Sequence, residues 1–203
     1  MNETANAMKS TDSERPAAGG RPVFSLFHPN AKGTGCALMM ELHPAHDLKD
    51  GSIMTCFMNQ KTVGDRRGPI PTYSTFDTEN KIWVKLDFFD LAKILQVFRG
   101  ECESLEGGKG LFHQSARHST HIRLQHQTEV ANGYLFEVYR TTPGKSDGDV
   151  SARITLTSWE AMGLALAIEN SFGVICFGIP QVIAHDTSAY EEAARKAMHA
   201  NAA

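Results

Sequence analysis

The chain has 203 residues, 41% of them apolar and 8% aromatic, and a formal net charge of −3 at pH 7. That is enough apolar material for one substantial core or two small ones. The near-neutral balance excludes a protein that attracts polyanions over its whole surface, so any such attraction has to come from a local basic patch.

Residues 1–21 are polar, include Glu3, Asp12 and Glu14, and lack an apolar stretch. This composition predicts a disordered tail and not a secretion signal. Val23–His28 reads as a strand, followed by a loop from Pro29 to Gly35 and a second strand, Cys36–His43. A turn through Pro44 leads to a third strand, Ser52–Val63, and then to a long polar loop from Gly64 to Asn80 that holds Asp65-Arg66-Arg67-Gly68. Lys81–Leu86 is the fourth strand. Its alternation sends Ile82, Val84 and Leu86 one way and Trp83 and Lys85 the other. A helix is expected from Phe88 to Glu103, because Phe88, Leu91, Ile94, Leu95 and Phe98 recur at spacings of three and four. Asp87 with Asp90 forms the cap.

Glu106-Gly107-Gly108-Lys109-Gly110 breaks the pattern. Strands then follow at Leu111–Ala116, His121–Thr128, Tyr134–Thr141 and Val150–Leu156, with a tight-turn signal at Asn132-Gly133 and a loop from Thr142 to Gly148. Ile122, Leu124, Ile154 and Leu156 face inward, whereas His121, Arg123, Gln125, Arg153 and Thr155 face outward. A second helix starts near Ser158 and runs toward Ile175, opened by a Thr157/Glu160 capping box. Ser188–Ala200 reads as a separate surface helix of mixed charge.

The two runs are one unit written twice. Leu26-Phe27-His28 with Lys32 recurs 85 residues later as Leu111-Phe112-His113 with Arg117. Each copy is β-β-β-β-α, so the expected fold class is α+β: tandem repeats forming antiparallel sheets, as one broad platform backed by two helices, in an intramolecular pseudo-dimer. The expected organisation is a disordered tail over 1–21, a single domain over 22–180 and a helical tail over 181–203. Within the domain, repeat one covers 22–106 and repeat two covers 110–180.

The Phe27-His28-Pro29-Asn30-Ala31-Lys32-Gly33 segment, the Ile154-Thr155-Leu156-Thr157-Ser158-Trp159-Glu160 strand-to-helix junction and the apolar run Leu164–Phe177 carry a resemblance. With this tandem β4α order, the chain resembles the Whirly single-stranded-DNA-binding proteins. The wider group takes in the positive-cofactor-four coactivators and mitochondrial guide-RNA-binding proteins. The resemblance covers about Val23 to Ile179. It implies a curved sheet platform that holds single-stranded DNA or RNA, in replication, repair, recombination or transcription, with no cofactor and no catalysis. It also implies possible homo-oligomers, although the lysine-glycine-lysine-alanine motif of the plant type is absent, so plant-type higher assembly does not carry over.

Single-strand binding needs cations along the phosphates and flat side chains against the bases. The expected open face offers Trp83 and Lys85, with Arg153 at the matching place in repeat two and Arg123 on the neighbouring strand. Lys32 and Arg117 occupy equivalent first loops, and the third strands end in Lys61 and in Tyr139-Arg140. These nine residues are the candidate site. The alternative is a protein-interaction scaffold that uses the same face.

Other signals are weaker. Cys36, Cys56, Cys102 and Cys176 form no CxxC pair and read as reduced thiols of an intracellular protein. His43, His46, His113, His118 and His121 match no zinc spacing, so no metal is expected. Gly107-Gly108-Lys109-Gly110 lacks the ending of a phosphate-binding loop and precedes a strand, and no nucleophile set is present. Trp159–Ile179 is interrupted by Glu160, Glu169 and Asn170 and reads as a buried helix with no membrane partner.

Overall fold

The structure, a computed structural model, describes residues 23–46, 48–127, 133–142 and 149–179. The expected N-terminal tail, the C-terminal helix, the Asn132 turn position and most of the Thr142–Gly148 loop lie outside the described residues.

The strands are β1 (Val23–His28), β2 (Cys36–His43), β3 (Ser52–Thr62), β4 (Thr75–Phe76), β5 (Ile82–Leu86), β6 (Leu111–Gln114), β7 (Ser119–Gln127), β8 (Gly133–Thr141) and β9 (Val150–Thr157). Helix α1 (Phe88–Phe98) follows β5, and α2 (Ser158–Phe177) follows β9. All ladders are antiparallel. β1, β2 and β3 run side by side, and the far edge of β3 is shared by β5 along Ile53–Phe57 and by β4 near Gln60–Thr62. The second sheet is ordered β6-β7-β8-β9. The fold class is therefore α+β, as expected. β4 was not legible, since two residues carry no alternation.

One expectation needs correction. The repeats do not merge into one broad sheet: the two ladders are separate, and β9 meets β2, β3 and β5 through side chains. The inward faces of both sheets and the buried sides of both helices share one core. Phe57 and Phe136 meet edge to face across it at 5.1 Å. An aromatic pair in this geometry adds to the gain from burying apolar area.

The helices begin where the sequence signals. Asp87 accepts from Asp90 N at 3.0 Å while Asp90 reaches back to Asp87 N, and Thr157 with Glu160 completes the second capping box. α1 stops at Phe98 and not at Glu103, because Gly100 adopts a left-handed φ of 72°. Gly100 N then donates to Val97 O, and Glu101 N donates to Gln96 O, a Schellman termination. α2 is long and apolar enough to cross a membrane by length and composition. In this fold its Ala161, Leu164, Ala165, Ile168 and Ile175 side lies in the core, while Trp159, Met162 and Leu166 form an exposed stripe.

The repeats hold each other reciprocally. His28 on β1 meets Glu160 of α2 at 2.7 Å, and its counterpart His113 on β6 meets Asp90 of α1 at 2.9 Å. Each histidine of one repeat thus binds the capping carboxylate of the other. This is the pattern of a two-fold dimer interface placed within one chain. The Asp90 hydrogen bond raises the pKa of His113 above the ordinary histidine value. For Glu160, burial pushes the pKa up, but hydrogen bonds from Thr157 and His28 outweigh it and hold the carboxyl below the usual range.

Candidate nucleic-acid interface

Each sheet has one face turned away from the core, and the alternation of its strands fills that face. In sheet one the register aligns Met39, Cys56 and Trp83 across β2, β3 and β5. Ala37, Cys56 and Met58 are buried there beneath Met39, Phe76 and Trp83, forming a second, minor apolar cluster. Burial raises the Cys56 thiol to about 11, so it stays protonated and unreactive near neutral pH. Lys85 is exposed beside this cluster, and Lys81 lies 6.0 Å above the Trp83 ring.

In sheet two the equivalent row is Arg123, Glu137 and Arg153, across β7, β8 and β9. The next row is Phe112, His121, Tyr139 and Ser151. The Tyr139 hydroxyl donates to Asp149 at 2.7 Å, which steadies the ring and raises the phenol pKa. A groove of about 760 Å³ runs over this face, with Arg123, Glu137, Arg153, His121 and Tyr139 on one side and the Gly33–Gly35 backbone with Asn59 on the other. It lies where the repeats meet, and Asn59 itself donates to Ser151 O at 2.7 Å.

The loop that forms the far wall is built by two amides. Asn30 Oδ1 accepts from Lys32 N and Thr34 N at 3.0 and 3.1 Å. Buried Gln60 accepts from Asn30 N and Gly35 N, and donates to Asn30 O and Thr62 O. A Cβ on Gly35 would stand 2.2 Å from His28 O, so only glycine lets the loop lie this close. Beyond it opens a second hollow lined by Phe27, Phe76, Tyr73, Arg66 and Arg67. Its rings Phe27 and Phe76 are 5.5 Å apart, and Phe27 is 55% exposed.

The groove brings together Arg123, Tyr139 and Arg153. Trp83 and Lys85 share the open side of sheet one, with Trp83 half-buried among Met39 and Phe76. Lys32 and Arg117 are exposed in the first loops, and Lys61 is exposed at the end of β3, 4.0 Å from Glu79. Arg140 does not join the open face. Adjacent strand residues point to opposite sides, so with Tyr139 outward Arg140 turns to the core side. There it donates to Thr120 Oγ1 at 3.1 Å and to the carbonyl of Trp83, bridging the repeats. Burial lowers its pKa.

Sequence reasoning passed over Glu137, Asn59, Gln60 and the Phe27–Phe76 pair. Glu137 was open to detection, since it alternates with Phe136 and Val138. Asn59 and Gln60 gave no local signal because their partners lie 92 and 30 residues away.

No protein-family model and no curated protein matches this sequence. Solved structures do. The chain is similar to WHY1 from Arabidopsis thaliana with a TM-score of 0.61 at 17% identity, over 87% of this chain and 94% of that one. It is similar to WHY3 from the same plant with a TM-score of 0.57 at 18% identity, over 87% of this chain and 98% of that one. At this identity the likeness is one of fold, and the chain therefore shares the fold of these Whirly proteins, as the resemblance in its sequence implied.

Proposed function

We propose that the chain binds single-stranded nucleic acid without catalysis, along the open faces of its two sheets. The observation that carries this reading is the groove between the repeats, where two arginines, two flat rings and a close-lying glycine loop converge. Arg123 and Arg153 neutralise phosphates, while Tyr139 and His121 stack on bases. Trp83, Lys85, Lys32, Lys61 and Arg117 extend the track over repeat one and the loop ends. Arg140 supports it from below, by fastening β8 to β5. The four free thiols suit an intracellular protein.

The test is a salt-titrated binding assay with labelled single-stranded and duplex oligonucleotides. Single strands bind more tightly, and log affinity falls against log salt by roughly 0.7 per phosphate contacted. Equal binding of both forms overturns the single-strand preference, and absent binding of both at low salt discards the nucleic-acid reading altogether. In that event the protein-interaction scaffold takes its place, favoured by the apolar Met39, Cys56, Met58 and Trp83 patch and by the chain's weak net charge. The exposed Trp159, Met162 and Leu166 stripe of α2 suits a second copy of the chain, and sedimentation of the wild type against Trp159→Glu measures it.

A further inference from the structure

We propose that the row Arg123, Glu137, Arg153 reads the Watson–Crick edge of a guanine base. The inference rests on the nucleic-acid reading above and deepens it by naming which base the groove prefers. A groove built only to hold a polyanion gains nothing from a carboxylate, which repels phosphate. Glu137 nevertheless sits at the centre of the row, half-buried between Arg123 and Arg153 in ladder register. Among the described residues its carboxylate makes no hydrogen bond or ion pair, and neither arginine side chain closes onto it. Two guanidinium forks and one carboxylate therefore face the same cavity.

An ionised carboxylate only accepts hydrogen bonds, and it accepts two in parallel from adjacent N–H groups. Guanine alone among the four bases presents two ring-edge donors side by side, N1–H and N2–H2, with the acceptor O6 beside them. Cytosine and adenine present one amino group on that edge. Thymine and uracil present one N–H between two carbonyls that a carboxylate repels. In a single strand this edge is free to be read. Glu137 takes N1–H and N2–H2, a flanking arginine donates to O6, and the other arginine is left for the phosphate. Tyr139 and His121, paired across β8 and β7 in the next row, supply the flat surfaces for the base plane. The equivalent positions in repeat one, Met39, Cys56 and Trp83, hold no side chain that accepts two such bonds. Base choice is therefore confined to one station per chain.

The experiment uses the full chain and fluorescence anisotropy at constant salt. The probes are thymidine oligonucleotides of about twelve residues carrying one internal dG, dC, dA or inosine, a length that matches ordinary single-strand site sizes. A single dG tightens binding about tenfold or more over all-dT, the scale of one bidentate base contact. Inosine, which lacks the N2 amino group, loses most of that gain. In Glu137→Gln the dG-to-dT affinity ratio falls to near one. Because the readout is a ratio within one variant, a partly misfolded preparation does not imitate the result. Competition by free GMP and not by AMP supports the same pocket and shows that the base suffices without a strand. The inference is overturned if wild type binds dG and inosine alike, if dC or dA exceeds dG, or if Glu137→Gln keeps the preference. Wild type that binds none of the oligonucleotides at low salt marks failure of the nucleic-acid reading itself.

Discussion

Three positions in repeat one, Met39, Cys56 and Trp83, correspond to Arg123, Glu137 and Arg153 in repeat two. Both rows lie on the open side, one strand step behind a conserved-in-kind core: Val84 and Leu86 beneath one, Ile154 and Leu156 beneath the other. The inward residues of the duplicated unit stayed apolar because they share one core, in which a polar atom needs a partner. The outward residues differ between the copies along the whole row. One row is soft and carries one aromatic ring, and the other is ionic. On the proposed reading the first serves stacking and the second serves phosphates and a base edge. Sheet pleating permits the difference, since it insulates the exposed face from the packing beneath it.

The strongest way to break this comparison is to cut both copies of the scaffold at equivalent places. Leu86 and Leu156 are each fully buried as the last inward residue before a capped helix. Leu86→Ala and Leu156→Ala each lower the unfolding free energy by roughly 3 kcal/mol in urea titrations. A large inequality between them would show that the repeats do not carry equal weight in the core.

Next in size is the ionic row. Arg123→Ala combined with Arg153→Ala weakens binding of an all-dT strand, which offers no guanine edge and leaves both arginines to phosphates, roughly 100-fold at low salt and reduces the salt slope by about 1.4. The aromatic row behaves differently. Trp83→Ala weakens binding about tenfold with the salt slope unchanged, because stacking releases no counterions. The same variant also loses some stability, as Trp83 packs on Met39 and Phe76. Equal salt slopes for the two variants would erase the proposed division of labour.

The smallest effect belongs to the reciprocal clasps. His113 has a raised pKa in the folded protein, so its contribution to stability is complete below the ordinary histidine pKa of 6.5 and fades as pH rises through the raised value. Glu160 has a lowered pKa, so its contribution holds above the ordinary 4.5 and is lost as pH falls through the lowered value. His113→Gln flattens the stability profile on the neutral-to-alkaline side by less than about 1 kcal/mol, whereas Glu160→Gln flattens it on the acid side. Thermal midpoints across pH read both. A His113→Gln profile that still declines above neutrality would place the titration elsewhere.

Much of this was legible in the chain. Eight strands and both capped helices follow from period-two and period-3.6 patterning, with ends displaced by a few residues. α1 ends before the expected Glu103, because the apolar periodicity has no further member after Phe98 and Gly100 supplies the stop. Trp83 and Arg153 were correctly set on the open side, since alternation alone decides that. The same rule between neighbours turns Arg140 to the core side, against the expectation that it joins the open face. The groove was not legible, because its two walls come from different repeats.

The sequence by itself determined the local layer: which residues alternate, where helices are capped, and that the unit occurs twice. These are short-range matters of backbone geometry and hydrogen bonding, settled within a few residues. Only the tertiary structure decided that the sheets stay separate, that His28 and His113 exchange partners across the repeats, and that Glu137, in register between two arginines, lies opposite a glycine loop. Those arrangements depend on how two faces pack around a common core. Such packing joins residues far apart in the chain, through contacts whose free energy has no local trace.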